Sequence, residues 1–595
     1  MKPPAAERID GYVDLRSYAV IGDGRTVALI ALDGSIDWFP IPALDSPPVF
    51  GRLLDADTGG AFELAPTKPF TVRRRYVPGT NVLETTFTTA SGSAKMTDAL
   101  VTGIAGRLPW VELVRRIDGV RGTVGFHWRV APGSRLGRSS PWAEHTVHGK
   151  VLRVDGVTLA VRGVDHGEHG GGDRAVAGRF TTSAKSRHVI SVVGTAGQPL
   201  HLPDPALTDA SIDRTISNWR DWSKEFHYSG PWEQAVQRSA LALKLLLFSP
   251  TGAIAAAATT SLPESLDGDK NWDYRFGWVR DIAYTLEAML TFGLREEPQA
   301  AIAWLLDTIQ KNGPRMRVFY DLSGELPTEP KLLDVPGWRG IGPVYAGNPA
   351  GEQLQLGVYG DLFSVMRNYV LAGNVLDADT GRLMAGLADT VCDTWQRRDA
   401  GMWELNDEQH YTASKMGCWN ALNSAVWLCD NGQIPGSPER WKVERDTIHK
   451  WVSANCWSEK RQAWVAWPGS EDLDTAVLLH APSGFDRGKR MSSTIDAIRT
   501  ELSRGPLVYR YSQVVGEEGT FVACGFWLAA ALACVGRVEE AVPLMDELVG
   551  LSNDVGLYAE MIDADDKSFL GNLPQALSHL ALISAAILID DLSHS

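Results

Sequence analysis

The sequence predicts a two-part fold, a large antiparallel β-sandwich followed by an (α/α)6 barrel, and three observations carry that prediction. At 595 residues the chain exceeds what one core can hold, since single cores stop growing near about 250 to 300 residues. Its hydrophobic period is two up to about Pro205 and about 3.6 after Ser211. The helical half then alternates long and short connections, as expected when one end of a barrel is plain and the other is crowned by loops.

Short apolar runs punctuated by Gly, Pro and Asp begin at Ile9. Thr26 to Leu32 and Ser35 to Phe39 flank an Asp33-Gly34 pair, a strong hairpin signal because the two-residue turn needs positive φ. Further runs at Val82 to Thr89, Val111 to Ile117, Gly125 to Val130, Leu152 to Val161 and His188 to Val193 predict strands of a sandwich over residues 1–210. Residues 211–229, with Trp219 and Trp222, read as a connecting segment that already shows the helical period.

Residues 230–595 read as twelve helices: roughly Trp232 to Phe248, Ile282 to Phe292, Pro298 to Gln310, Gln355 to Leu371, Thr380 to Arg397, Lys415 to Cys429, Pro438 to Ala454, Leu473 to Leu479, Ser493 to Ser503, Phe521 to Cys534, Val538 to Leu551 and Gln575 to Leu588. The first two are separated by the whole stretch Pro250 to Asp281, the second and third by little more than Gly293 to Glu297. That pattern gives six inner and six outer helices. An α-solenoid is the structural alternative, and the lack of a fixed repeat weighs against it.

Composition bounds the partners. A net charge of -15 and pI near 5.4, with no Lys and Arg run, argue against nucleic acid or an anionic membrane and leave a neutral small molecule easier to accommodate. No apolar leader follows the first eight residues and no run of about 18 apolar residues appears, so the expected location is cytoplasmic. The six cysteines lack paired CxxC spacing and read as buried free thiols, and no metal motif is present. The 21 tryptophans fit either core packing or stacking on sugar rings, and position must decide.

The motifs with chemical potential all fall on the long-loop face. Asn271 to Asp281 is an aromatic loop in which Trp272, Tyr274 and Trp278 form walls and Arg280 with Asp281 could hold vicinal hydroxyls; the alternative is that Asp281 caps the next helix and Arg280 neutralises it. Trp338 and Arg339, between glycines in a loop of about 40 residues, suit a sugar-facing pair or an anchored loop plug. Glu404 beside Trp403 sits where desolvation would keep it protonated, as a general acid requires. Glu560, in the last long loop, would be brought round by barrel closure beside Arg280. Two such carboxyls are what inverting glycoside hydrolysis uses, one to protonate the leaving oxygen and one to activate water; the bland reading of each alone is a helix-start or solvated glutamate. Glu517, Glu518 and Asp472 compete for the base role and read as sugar-binding or structural.

At these residues the sequence resembles glycoside hydrolase family 15, the bacterial glucoamylase-like enzymes. The resemblance runs along nearly the whole chain, through Ile21 to Ile30, Asp33 to Trp38, Phe50 to Leu54, Gly277 to Asp281, Pro336 to Gly340, Gln353 to Leu356, Gly401 to Glu404, Gly556 to Glu560 and Gly571 to His579. It implies a β-supersandwich and a catalytic (α/α)6 barrel, with Glu404 as general acid, Glu560 as general base, Tyr274, Trp278, Arg280 and Asp281 around the terminal glucose, and Trp403 beside the scissile bond. The implied activity is exo-acting release of β-glucose from an α-glucoside, with no cofactor, since inversion needs none. Leu405 and Asn406 depart from the family's pattern after the catalytic acid, which makes long starch chains doubtful and slightly favours isomaltose-type sugars. Trehalase is the strongest substrate rival, and a sugar sensor without turnover is the non-enzymatic alternative.

Overall fold

The computed structural model describes residues 7–102, 108–147, 149–313 and 315–594, with every side chain but that of His169. Residues 1–6, on which most of the N-terminal leader reading rests, lie outside the described residues.

Two eight-stranded antiparallel sheets make the sandwich. The first runs from Ala19–Gly22 through the Val27–Ile30 and Ile36–Pro40 hairpin to Gly60–Pro66, Val124–Pro132, Val176–Thr182 and Glu168–Gly170, with Pro48–Phe50 branching from Ile36–Pro40. The second orders Trp142–Thr146, Gly149–Val154, Val157–Val164, Arg187–Ala196, Val111–Gly122, Gly92–Leu100, Leu83–Thr89 and Phe70–Tyr76. Leu83–Thr89 buries alternate residues as period two requires. The expected single run Leu152 to Val161 is instead a hairpin that turns at Asp155-Gly156, where φ is 42° and 75°. It is the same Asp-Gly signal as at residues 33 and 34, overlooked because apolar residues flank it so closely.

The helical period starts at Pro205, six residues before Ser211. Helix α1 (Pro205–Lys224) has Pro205 in its first turn, and Asp204 caps it by accepting the Ala206 N–H at 2.9 Å. It lies on the second sheet, where Arg116 reaches Asp209 and Asp213. This cover explains why Val111 to Ile117 is buried without alternation.

Beyond it lie α2 (Glu233–Leu246), α3 (Val279–Thr291), α4 (Glu296–Lys311), α5 (Val358–Leu371), α6 (Ala378–Thr394), α7 (Thr412–Asp430), α8 (Pro438–Asn455), a 3-10 helix (Thr475–His480), α9 (Lys489–Leu502), α10 (Val522–Cys534), α11 (Val538–Val549) and α12 (Ala576–Ser593). The 3-10 segment stands where the eighth expected helix does. Successive packing of α3, α5, α7, the 3-10 helix, α10, α12 and again α3 closes an inner ring, and the other six helices lie outside. Small residues let the inner helices approach: a Cβ on Gly360 would stand 2.6 Å from the Gly417 carbonyl oxygen. Helix α12 passes for a membrane-crossing helix by length and composition alone, but Ser578, His579, Asp590 and Asp591 interrupt its apolar run, it belongs to the inner ring, and most of it is buried.

The two halves share an extensive interface. Trp38 donates its indole N–H to the Ala258 carbonyl at 3.0 Å, and Arg16 reaches across to the carbonyls of Leu551, Ser552 and Lys567. A cavity of about 390 Å³ follows the barrel axis away from the long loops, lined by residues that include Glu287, Arg367, Asn420 and Trp527.

Candidate active site

The long loops converge where outer helices pass to inner ones. Gly277-Trp278 pairs with Phe319-Tyr320 as a short ribbon, which sets Trp278 at the head of α3, stacked on Phe319 at 4.3 Å and beside Tyr274 at 5.0 Å. From there the Trp278 indole N–H donates to Glu404 Oε1 at 2.7 Å. Two residues later Arg280 binds Asp281 Oδ2 through Nε (3.1 Å) and Nη2 (3.0 Å), and gives Nη1 to the Met402 carbonyl at 3.0 Å. This tether holds the Glu404 loop against α3. Asp281 is fully buried, and its Oδ1 has no partner among the described residues, which leaves an acceptor ready for a hydroxyl group.

Glu404 lies in the loop between α6 and α7 with a left-handed backbone, φ 61°, uncommon for a residue with a Cβ and of the kind that clusters at functional sites. Gln353 Nε2 donates to its carbonyl at 3.1 Å. Burial raises its carboxyl above the ordinary glutamate range, against the opposing pull of Arg280 and the Trp278 N–H.

Glu560 lies in the loop between α11 and α12, at the edge of a small sheet of Thr520–Phe521, Met561–Ile562 and Phe569–Leu570. It is 1% exposed. Its backbone N–H donates to the Asn572 carbonyl at 3.0 Å, and Asn572 returns its own N–H to Glu560 Oε2 at 3.1 Å. Gly571, at φ +69°, makes room for the carboxylate, since a Cβ there would stand 2.6 Å from Oε2. Asn572 also donates to the Trp272 carbonyl, so the last long loop joins the first, as barrel closure requires. Burial, then the negative charge of Glu264, pushes the Glu560 carboxyl well above the ordinary range.

Tyr274 lies near both carboxyls. It is buried, and after burial the groups that push its hydroxyl upward are Glu404, Glu560 and Glu264, which surround it. Trp403 completes the wall, its indole N–H on Asp474 Oδ1 at 2.8 Å and its ring against Phe521 and Trp527. Burial lifts Asp474 to about 6. Beneath Arg280, Met402 and Trp403 is a small cavity of about 40 Å³.

Seven of the residues singled out in the sequence therefore stand together: Tyr274, Trp278, Arg280, Asp281, Trp403, Glu404 and Glu560. Trp338 and Arg339 do not, and Trp272 stacks on Tyr345 at 5.9 Å. Trp338 is 1% exposed and donates to the Val13 carbonyl at 3.0 Å, which makes it the plug that fastens its loop to the sandwich, and Arg339 is exposed, stacked on the Trp338 ring at 4.3 Å. Glu517 is exposed and Asp472 accepts a hydrogen bond from Gln513. Glu518 is instead buried, taking two bonds of 2.6 Å from Arg510 and one of 2.6 Å from Lys270. Arg510, Glu264 and Asp474 escaped the sequence reading. No local pattern marks them, and each becomes part of the site only when separate loops fold over it.

Comparison with known proteins bears on the family and the fold. Residues 230–587 match the model for glycosyl hydrolases family 15, and residues 11–158 match that described as trehalase-like, N-terminal. A trehalase of Thermoplasma volcanium is 30% identical over 589 residues, covering 97% of this chain and 94% of its own. A trehalase of Mycobacterium tuberculosis is 31% identical over 612 residues, covering 96% and 89%. A bacterial glucoamylase complexed with acarbose shares the fold, with a TM-score of 0.69 at 13% identity over 100% of this chain and 97% of that one. The chain belongs to glycosyl hydrolases family 15.

Proposed function

We propose that this hydrolase is a trehalase that splits α,α-trehalose with inversion at one anomeric carbon, Glu404 acting as general acid and Glu560 as general base. The observation that carries the chemistry is the pairing of two desolvated carboxyls around Tyr274 on the long-loop face, one bonded to an indole N–H and one cradled by a backbone amide. The terminal glucose would lie against Trp278 and Trp403, with its hydroxyls on Arg280 and the unpartnered Asp281 oxygen. Glu404 gives its proton to the bridging oxygen as the bond to C1 breaks. Glu560 takes a proton from the water that attacks C1 from the opposite face.

The choice of trehalose rests on the relatives. Proteins named trehalase align along both halves of the chain, and the sandwich has its own trehalase-like match. These outweigh the departures at Leu405 and Asn406, so trehalose replaces isomaltose-type sugars as the favoured substrate.

Proton NMR of the first turnovers tests both parts. Inversion of trehalose releases one β-glucose and one α-glucose, because the leaving ring keeps its own configuration, whereas retention releases two α-glucose molecules. Faster cleavage of isomaltose or maltose than of trehalose would overturn the substrate assignment and leave the acid and base roles standing.

A further inference from the structure

The barrel axis holds a second cavity that the proposed reaction does not use. Every element of the inner ring lines it, and at about 390 Å³ it has the size of sites that enclose small molecules, which often lie between the helices of a bundle. Tyr284, Asp361 and His480 line both this cavity and the one of about 40 Å³ beneath Arg280, and between them the Tyr284 hydroxyl donates to Asp361 Oδ1 at 2.8 Å. The smaller space is too tight for a sugar ring. A ligand of the axial cavity therefore enters from its outer end, where Ser584 and Asp591 are exposed.

The walls carry polar groups that no other protein group matches. Arg367, whose guanidinium lies 5.3 Å over the Trp427 ring, has an enclosed Nε with no partner among the described residues. Glu287 takes an Asn368 N–H on Oε1 at 2.8 Å and keeps Oε2, while Asn420 gives Nδ2 to Ser364 Oγ at 2.8 Å and keeps Oδ1. Ser424 and Trp527, 1% and 6% exposed, make no side-chain hydrogen bond among the described residues. Polar groups this deep are normally hydrogen-bonded, so the set is arranged for a partner that enters the cavity.

The mixture of groups selects that partner. A simple cation would sit beside the Arg367 guanidinium and leave its Nε and the Trp527 indole N–H unmatched; a simple anion would face Glu287, Asp361 and Asp591. A neutral polyol donates and accepts at each hydroxyl, so it meets the donors and the acceptors together. We infer that the axial cavity is a second binding site, for a neutral hexose such as the glucose that the proposed reaction releases. The site stands apart from the acid and base assignment, since Arg367, Asn420 and Ser424 do not line the smaller cavity beneath Arg280. It still adjoins the proposed catalytic wall, because Trp527 packs on Trp403 at 5.9 Å.

Crystals of the whole chain grown with D-glucose test the place directly. A hexose within hydrogen-bond reach of Arg367 and Ser424 supports the site, and water alone along the axis overturns it, whatever the Glu404 pocket holds. Equilibrium dialysis with labelled D-glucose counts the sites in solution. The wild type should bind two glucose molecules per chain. Ser424→Leu, which fills part of the cavity, and Arg367→Met, which keeps the stem and removes the guanidinium, should each lose one of them and keep wild-type kcat on trehalose or whichever α-glucoside is cleaved. One glucose per chain in the wild type, or two in both folded variants, would overturn the proposal. The crystals need no variant, so a substitution that fails to fold leaves the test in force.

Discussion

The loops that carry the proposed acid and base solve different problems with different materials. The acid loop is held inside the barrel, where Asp399 accepts the Leu356 N–H at 2.9 Å and the Ser414 hydroxyl at 2.7 Å, and Arg280 grips the Met402 carbonyl. The base loop is held largely from the other domain, through Arg16 on three of its carbonyls, Asn553 on the Arg16 and Tyr18 carbonyls, and Asp554 on Arg74. Glu404 stays half-buried with one indole donor, while Glu560 is closed in by a backbone amide and a glycine. The acid is thus tuned by its neighbours in one pocket, and the base by how loops and domains are stacked around it.

The sharpest way to break this comparison is to remove each carboxyl and vary the leaving group. Glu404→Gln and Glu560→Gln should each lower kcat on trehalose by on the order of 10³, with the circular dichroism spectrum unchanged. On α-glucosyl fluoride, whose fluoride leaves without a proton, Glu404→Gln should recover most of its activity and Glu560→Gln should not. Equal recovery by both would mean that the roles are wrongly divided.

The same difference governs what the sequence reveals. Glu404 and Glu560 stand out as candidates because each lies close behind an aromatic residue, Trp403 or Tyr558, in a loop ahead of an apolar helix, and the barrel was legible because its connections alternate in length. Trp338 was not, because a tryptophan between glycines reads alike whether it faces sugar or, as here, donates to Val13 more than 300 positions away in sequence. Glu264 was missed for the same reason: loops far along the chain close over it, Gly519 giving its N–H to the Glu264 carbonyl and Gly571 its own to that of the neighbouring Pro263. Short-range chemistry is written locally, and burial made by distant loops is not.

Glycines sharpen the comparison at the next level. Gly571→Ala places a Cβ 2.6 Å from the base carboxylate and needs φ +69° as well, so kcat should fall about 100-fold or more. Gly401→Ala, at φ +66°, meets only the Tyr411 ring at 2.9 Å, a side chain that can shift, and should cost less. If the order were reversed, the closed cradle would not matter. Trp278→Phe should be milder still, about 10-fold in kcat, the worth of one hydrogen bond to a charged group. That N–H favours the ionised form of Glu404, so its loss raises the acid's pKa and moves the alkaline limb of the kcat/KM profile upward.

The smallest expected effect on turnover comes from Arg16→Ala, the change that most directly asks what the sandwich does. Arg16 is 8% exposed, gives hydrogen bonds to Leu551 (2.7 Å), Ser552 (2.9 Å) and Lys567 (3.0 Å), and lies 4.7 Å over the Phe569 ring. Its loss leaves three carbonyls on both sides of Glu560 without that donor, at a cost of roughly 2 to 4 kcal/mol in stability. Turnover should fall only several-fold, because the Asn572 and Gly571 cradle is built within the barrel. Amide hydrogen exchange should rise across residues 551–570 and stay at its wild-type level across 399–411. Faster exchange in both loops would mean that the sandwich steadies the barrel as a whole, and unchanged exchange in both would mean that it does not hold the base loop.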